Sequence, residues 1–251
     1  MCAIVEDLYE TGLIDARQRF AESSALKAVL SPSADTDHLE LFLICFCALG
    51  VQMTRPVEDW IDRAGRRCID VGLPELGKAL RAHARHEADH HLMMIHDTET
   101  LVGRRNVRLN ARLPADALLA TPPTPGIAQY VKLHEDVIAG SAPFGQLAIE
   151  YEIERLSVEF GGKLLRQCSY QLGTDALEGM SFVTEHVAVD VGHTKFNEAQ
   201  LGKLLTRSRS FATELSAAGC RALAAYGMFV DDCFGLATTL QRAPGWGRVA
   251  S

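Results

Sequence analysis

The sequence predicts an all-α protein, a bundle of about seven to nine helices. Valine and isoleucine recur at helical spacing, and neither Asn-Gly nor Asp-Gly, the usual hairpin turns, occurs. Proline, glycine and capping residues divide the chain into long helical segments. A length of 251 residues and a hydrophobic content of 47% fit a single domain, residues 1–251, with a sizeable core.

Four helices are predicted in the first half of the chain. Asp35-Thr-Asp is a capping cluster that suits the start of the second helix. Pro56 precedes the third helix, and Pro74 stands at the first turn of the fourth. The predicted spans are residues 4–30, 35–54, 57–71 and 74–102.

The second half begins with residues 106–125, which hold four of the nine prolines and are predicted to form a surface connection over a site mouth. Helices are expected to follow to the end of the chain, with a break at Gly219 in the last one. Their predicted spans are residues 127–139, 143–172, 177–199 and 201–241. The tail, residues 243–251, is predicted to fray.

Composition argues against several classes of function. The net charge of −7 and the lack of a basic run make nucleic acid an unexpected partner. The N-terminus is acidic where a signal peptide would be basic, and the apolar run 39–51 is too short to span a bilayer. Seven cysteines without framework spacing indicate reduced thiols. The sequence therefore predicts a soluble cytoplasmic protein that does not enter membranes.

The stretch H-V-A-V-D-V-G-H, residues 186–193, carries three potential metal ligands on one helical stripe. His186, Asp190 and His193 stand at i, i+4 and i+7, and valines lie between them. This pattern predicts an inward-facing metal site. The structural alternative is a buried hydrogen-bond network without a metal.

Two further stretches carry similar residues. Five of the nine histidines lie between residues 83 and 96, and Glu87-x-x-His90 has the spacing by which one helix offers a carboxylate and an imidazole to one metal. Glu150 and Glu154 share a helical stripe with apolar flanks, where a buried carboxylate needs a partner. For the first stretch the structural alternative is a solvated helix face rich in histidine. For the second it is surface pairing of the glutamates with Arg155 or Lys163.

Together the three stretches offer six ligands, with one coming from either Glu150 or Glu154. Carboxylates and imidazoles without thiolates suit iron or manganese better than structural zinc. Six ligands are too many for one open ion and suit two ions that share a carboxylate.

The same stretches resemble the haem-oxygenase-like diiron oxidases and oxygenases, also called iron-containing redox enzymes. The matching pieces are H-x-x-H-E-x-x-H at 83–90, P-F-G-Q-L-A-I-E-Y-E-I-E-R-L-S at 143–157 and H-x-x-x-D-x-x-H at 186–193. The resemblance covers about residues 35–200, and its last piece is the most specific. It implies a haem-oxygenase-like helical bundle.

The resemblance implies six ligands for two Fe(II) ions. They are Glu87, His90, Glu154, His186, Asp190 and His193. Glu150 is the fallback for Glu154. Some members have a carboxylate at the position of His83, so the second iron is expected to be bound differently or weakly.

The family's reactions imply O2 as co-substrate and a small molecule of amino acid or fatty acid type as substrate. They include C–C cleavage, decarboxylation and N-oxygenation, and a biosynthetic role is expected. The apolar run 41–47 is expected to be core, with a lining for an acyl chain as the alternative. A homodimer is the expected assembly. The groups expected to support the ligands are His83, His86, Asp97, Tyr151 and Asn197.

Three alternatives stay open. A metal-free thiaminase-like hydrolase on the same bundle would need a nucleophile, for which Cys168 is the nearest thiol to Glu154. A small-molecule binding protein would need none. A ferritin-like diiron carboxylate protein would need Glu58 as its first ligand. The additional His186, and aspartate in place of glutamate at position 190, favour the haem-oxygenase-like bundle.

Overall fold

The computed structural model describes residues 2–243, most of which are helical. Thirteen α-helical segments join, across π-helical turns at Glu6–Glu10 and Ser157–Gly161, into about eleven helices, nine of them long, and this part of the chain has no strand. The all-α prediction is confirmed. The segments are α1 (Ala3–Val5), α2 (Thr11–Ala21), α3 (Ser24–Leu30), α4 (Thr36–Thr54), α5 (Val57–Asp70), α6 (Pro74–Ala84), α7 (His90–Leu109), α8 (Ala115–Leu119), α9 (Pro125–Ala139), α10 (Gly145–Leu156), α11 (Gly162–Leu172), α12 (Ser181–Arg207) and α13 (Ala212–Arg242).

Helix α4 lies in the centre of the core, and 14 of its 19 residues are buried. The Asp35 side chain caps it as predicted, accepting a 2.8 Å hydrogen bond from the backbone N–H of His38. The helix packs against α7 and α13. The stretch 36–70 is long and apolar enough to cross a membrane, but 72% of its most apolar window is buried inside the protein. That burial is consistent with the core helix of a soluble protein.

The predicted helix 74–102 is wrong at its centre. Helix α6 ends at Ala84, and α7 begins only at His90. Two backbone hydrogen bonds that each reach back three residues, of 2.8 and 3.0 Å, tighten the end of α6, and Asp89 adopts the left-handed conformation with φ 63°. We call residues 85–89 the helix break. It carries Glu87 between the two helices.

Three other predicted boundaries differ. The first helix stops at residues 22–23 before α3 begins. Helix α7 continues to Leu109, and α8 lies inside the stretch 106–125 that was expected to be irregular. Near the C-terminus the chain leaves helical geometry at Ser208 and not at Gly219. The predicted frayed tail lies beyond residue 243, outside the described residues.

Gly219 serves close packing and does not break α13. A Cβ atom at this position would lie 2.6 Å from the hydroxyl oxygen of Tyr9. That hydroxyl donates a 2.9 Å hydrogen bond to the buried carboxylate of Glu152 on α10. The glycine therefore lets the N-terminal helix approach both α13 and α10.

Replacing Gly219 with alanine should destabilise the protein by about 1–3 kcal/mol, because the added methyl displaces Tyr9 from Glu152. Gly235 is a matched control in the same helix: it is exposed, and a Cβ there meets nothing within 4 Å. G235A should stabilise the helix by about 0.5–1 kcal/mol through helix propensity. Urea unfolding measures both changes, and equal effects of the two variants would contradict the packing role.

Candidate metal centre

Five structural elements meet at one place inside the bundle. Helix α6 supplies a histidine near its end, the helix break supplies a glutamate, α7 begins with a histidine, and α10 and α12 supply the remaining groups. Their ligand atoms form two groups, within each of which all atoms lie within 4.8 Å of one another. We call Glu87, His90 and His186 the first group, and His83, Glu87, Glu154 and His193 the second group. The two groups share Glu87.

In the first group, Nδ1 of His90 lies 3.1 Å from Oε2 of Glu87. This separation is close to the ~3 Å expected between neighbouring ligands on one cation with bonds of ~2.1 Å. The imidazole of His186 stands 4.8 Å from that of His90, centroid to centroid. Nδ1 of His186 donates a 2.7 Å hydrogen bond to the Phe182 carbonyl, so the lone pair of its Nε2 stays free.

In the second group, Nε2 of His83 lies 3.0 Å from Oε1 of Glu154. Nδ1 of His193 lies 3.5 Å from Oε1 of Glu87, 3.8 Å from Oε1 of Glu154 and 3.3 Å from Oδ1 of Asp190. Asp190 belongs to neither group but borders the second. Its Oδ1 and the His193 Nδ1 are both buried without a hydrogen-bond partner. A buried polar atom without a partner is costly, and a cation between these atoms would satisfy both.

The electrostatics of the centre also favour a cation. Burial raises the pKa of Glu154 well above its usual value, and nearby Asp190 adds to the effect. The Glu87 carboxylate raises the pKa of His90 through their hydrogen bond, and Asp190 raises the pKa of His193. No lysine or arginine in the described part of the chain forms an ion pair with the carboxylates of the centre. The donor set of imidazoles and carboxylates, without thiolates, fits iron or manganese.

Glu150 and Glu154 have different surroundings. Glu154 lies in the second group, whereas Glu150 lies one turn earlier and accepts a 2.5 Å hydrogen bond from the amide of Gln146. Burial raises the pKa of Glu150 to about 8. Arg155, which could have neutralised either glutamate at the surface, pairs with Glu10. The geometry therefore places Glu154 and not Glu150 among the candidate ligands.

Some of the residues expected to support the ligands contact the two groups, and others do not. The amide of Asn197 donates a 2.6 Å hydrogen bond to Oε2 of Glu154. His83, which was expected to support a ligand, belongs to the second group itself. The Tyr151 hydroxyl donates to Glu10, outside both groups, so this expectation was wrong. His86 is exposed, and its ring centroid lies 5.9 Å from that of His193.

Asp97 supports the centre by capping a helix and touches no imidazole. This fully buried carboxylate on α7 accepts hydrogen bonds of 2.9 and 2.8 Å from the N–H and hydroxyl of Ser181, and one of 2.9 Å from the N–H of Phe182. It thereby holds the N-terminus of α12 against α7. Those two helices supply His186 and His90 to the first group.

A cavity of about 170 Å³ opens beside both groups. Its apolar lining includes Val29 on α3, Phe42 and Phe46 on α4, and Tyr226 and Phe229 on α13. Its acidic and imidazole lining consists of Glu87, Glu150, Glu154, His186 and Asp190. The apolar run 41–47 is thus divided between cavity lining and core. No residue of 106–125 lines this cavity, so the expectation that this stretch covers a site mouth was wrong.

Residues required by two of the alternatives lie elsewhere. Glu58, needed by a ferritin-like centre, is exposed on α5. Cys168, the candidate nucleophile of a hydrolase, is fully buried, does not line the cavity, and has its pKa raised to about 12 by burial. Neither residue can serve as those alternatives require.

A solved structure with a similar fold exists. It is a crystal structure at 2.30 Å of a domain of unknown function from Shewanella denitrificans OS217, described as having a heme oxygenase-like fold. It matches with a TM-score of 0.75 over 96% of both chains, at 17% sequence identity. At that identity the similarity establishes the fold alone: the chain has a haem-oxygenase-like fold. No protein-family model matches the sequence, and no curated protein does.

Replacing Asp97 with alanine should destabilise the protein by about 2 kcal/mol or more, because three donors at the start of α12 lose their acceptor. Chemical unfolding measures this loss. Glu99 is the matched control, since it is an exposed carboxylate on the same helix. E99A should unfold within about 0.5 kcal/mol of the parent. A D97A protein as stable as E99A would contradict the capping role.

Proposed function

We propose that this protein is a non-haem diiron oxidase or oxygenase that uses O2 to oxidise a small apolar molecule. The position of Glu87 carries the proposal. Its Oε2 lies 3.1 Å from His90 in the first group, and its Oε1 lies 3.5 Å from His193 in the second. A carboxylate with one oxygen in each group could be shared by two cations, which it would hold together with the histidines of both groups.

Two bound Fe(II) ions would supply the electrons that reduce O2. The residues of the chain set the geometry around them. The Phe182 carbonyl fixes the orientation of the His186 ring, and Asn197 holds one oxygen of Glu154 so that the other faces the second group. These supporting contacts reduce the reorganisation needed when cations bind.

The cavity favours a fatty acid type of substrate over an amino acid type. Its lining is mostly aliphatic and aromatic and contains no lysine or arginine. Each methylene group transferred from water into such a lining contributes about 0.8 kcal/mol. The apolar walls also exclude water from the metal groups, which strengthens electrostatic interactions there.

The ligand assignment predicts the behaviour of three variants. Parent protein loaded with Fe(II) under nitrogen should develop a visible absorption band on exposure to air, whereas E87A and H186A should not. His96, an exposed histidine on α7, is the control, and H96A should behave as the parent does. Iron content measured on the same samples tests the assignment directly. Parent-like iron binding by both E87A and H186A would refute it.

The cavity predicts how affinity depends on chain length. Saturated fatty acids should displace a fluorescent apolar probe more tightly with each added methylene, by up to about fourfold per group, until the cavity is filled. V29W should stop this gain at a shorter chain, because Val29 lines the apolar part of the cavity. L92W, at an exposed position outside the cavity, is the control. Affinities independent of chain length would contradict this substrate class.

A further inference from the structure

We infer that His83 is a direct ligand of the second cation, which is then held by two imidazoles and two carboxylates. This inference rests on the proposed two-cation centre and goes beyond its six ligands. His83 is 5% exposed, and its Nε2 lies 3.0 Å from Oε1 of Glu154. Its ring stands at 87° to that of His193, with centroids 4.8 Å apart. Both imidazoles therefore border the oxygens of Glu87 and Glu154.

The helix break makes this arrangement possible. In one continuous helix, His83 and His90 would stand about 10.5 Å apart along the axis. Here α6 ends just after His83, the break carries Glu87, and α7 begins with His90. Each histidine therefore joins a different group, on either side of the shared carboxylate. Residues 83–90 thus contribute to both groups.

His83 could have a second role, as a hydrogen-bond donor that only positions Glu154. The 3.0 Å distance fits this role too. However, Glu154 already has a donor, because Asn197 holds its other oxygen at 2.6 Å. Donation from His83 would also leave Nδ1 of His193 and Oδ1 of Asp190 buried without partners. A cation bound by both His83 and His193 would give the buried Nδ1 of His193 and Oδ1 of Asp190 a partner.

Ligation by His83 gives the two sites different numbers of protein ligands. The second site has four protein ligands, with Asp190 beside it, whereas the first has three. A site with fewer protein ligands keeps positions open for small molecules. Both sites reach the cavity, the first through His186 and the second through Glu154. We therefore expect the second cation to be the more tightly held one, in contrast to the weak second iron expected from the sequence.

Anaerobic titration of the full-length apoprotein with Co(II), followed by visible absorption and metal analysis, tests the inference. Co(II) avoids any dependence on O2 chemistry. The parent should bind two equivalents. H83Q keeps a hydrogen-bond donor but not a good ligand, and should lose one equivalent. The affinity of that step should fall by more than the ~10–100-fold expected for loss of a supporting contact.

H83E is the complementary variant, because a carboxylate can bind the cation but cannot donate to Glu154 while ionised. It should retain two equivalents. H86Q, at the neighbouring exposed histidine, is the matched control and should also bind two. Should H83E fail to fold, added imidazole should restore the second equivalent to H83A, and failure of that rescue counts against ligation.

The outcomes separate the inference from the proposed function. Two equivalents in the parent but one in H83Q support ligation. Two equivalents in both proteins, or their retention by H83Q and loss by H83E, overturn the role of His83 while leaving the two-cation centre intact. A parent that binds no Co(II) overturns the centre itself.

Discussion

Among the residues that the structure describes, the interior of this bundle holds carboxylates that pair with no lysine or arginine, and the candidate site follows from that constraint. Two other buried acids pair with arginine, Glu152 with Arg17 and Glu40 with Arg105, and the buried Asp97 accepts hydrogen bonds at the start of α12. Glu152 and Glu154 are two residues apart on α10, yet only the former meets a guanidinium. Uncompensated buried charge costs several kcal/mol. The imidazoles gathered around Glu154 offset part of that cost, and a cation at the proposed centre would offset more of it.

The sequence indicated which acidic and imidazole side chains come together better than it indicated how they meet. The stripe of His186, Asp190 and His193 lies on one continuous helix, so its spacing alone was sufficient. Glu87 and His90 do meet, but across the helix break and not on one helix face. The break depends on the left-handed conformation of Asp89, which the apolar periodicity of the segment does not reveal.

Other features could not be predicted from the sequence, because they depend on contacts between residues far apart in the chain. Glycine often ends a helix, but Gly219 allows close packing against Tyr9, which is more than two hundred residues away in the sequence. Glu150 and Glu154 share one stripe, and only the packing of α6 and α12 distinguishes them. The spacing of Phe42 and Phe46 in the sequence is the same for residues that line a cavity and for residues that pack in a core. Segment boundaries set by Pro56, Pro74 and Asp35 were predictable because their causes are local.

Burial raises the pKa of Glu150 to about 8, so both the stability of the fold and cation binding at the centre should depend on pH. A carboxyl group whose pKa is raised by folding favours the folded state at low pH, and this stabilisation is lost as pH rises from about 4.5 towards 8. The pKa of Glu154 is raised for the same reason, namely burial. Cations beside these groups would favour their ionised forms, so that binding would release protons. Higher pH should therefore strengthen cation binding while weakening the fold without cations, and this opposition follows from the same uncompensated carboxylates.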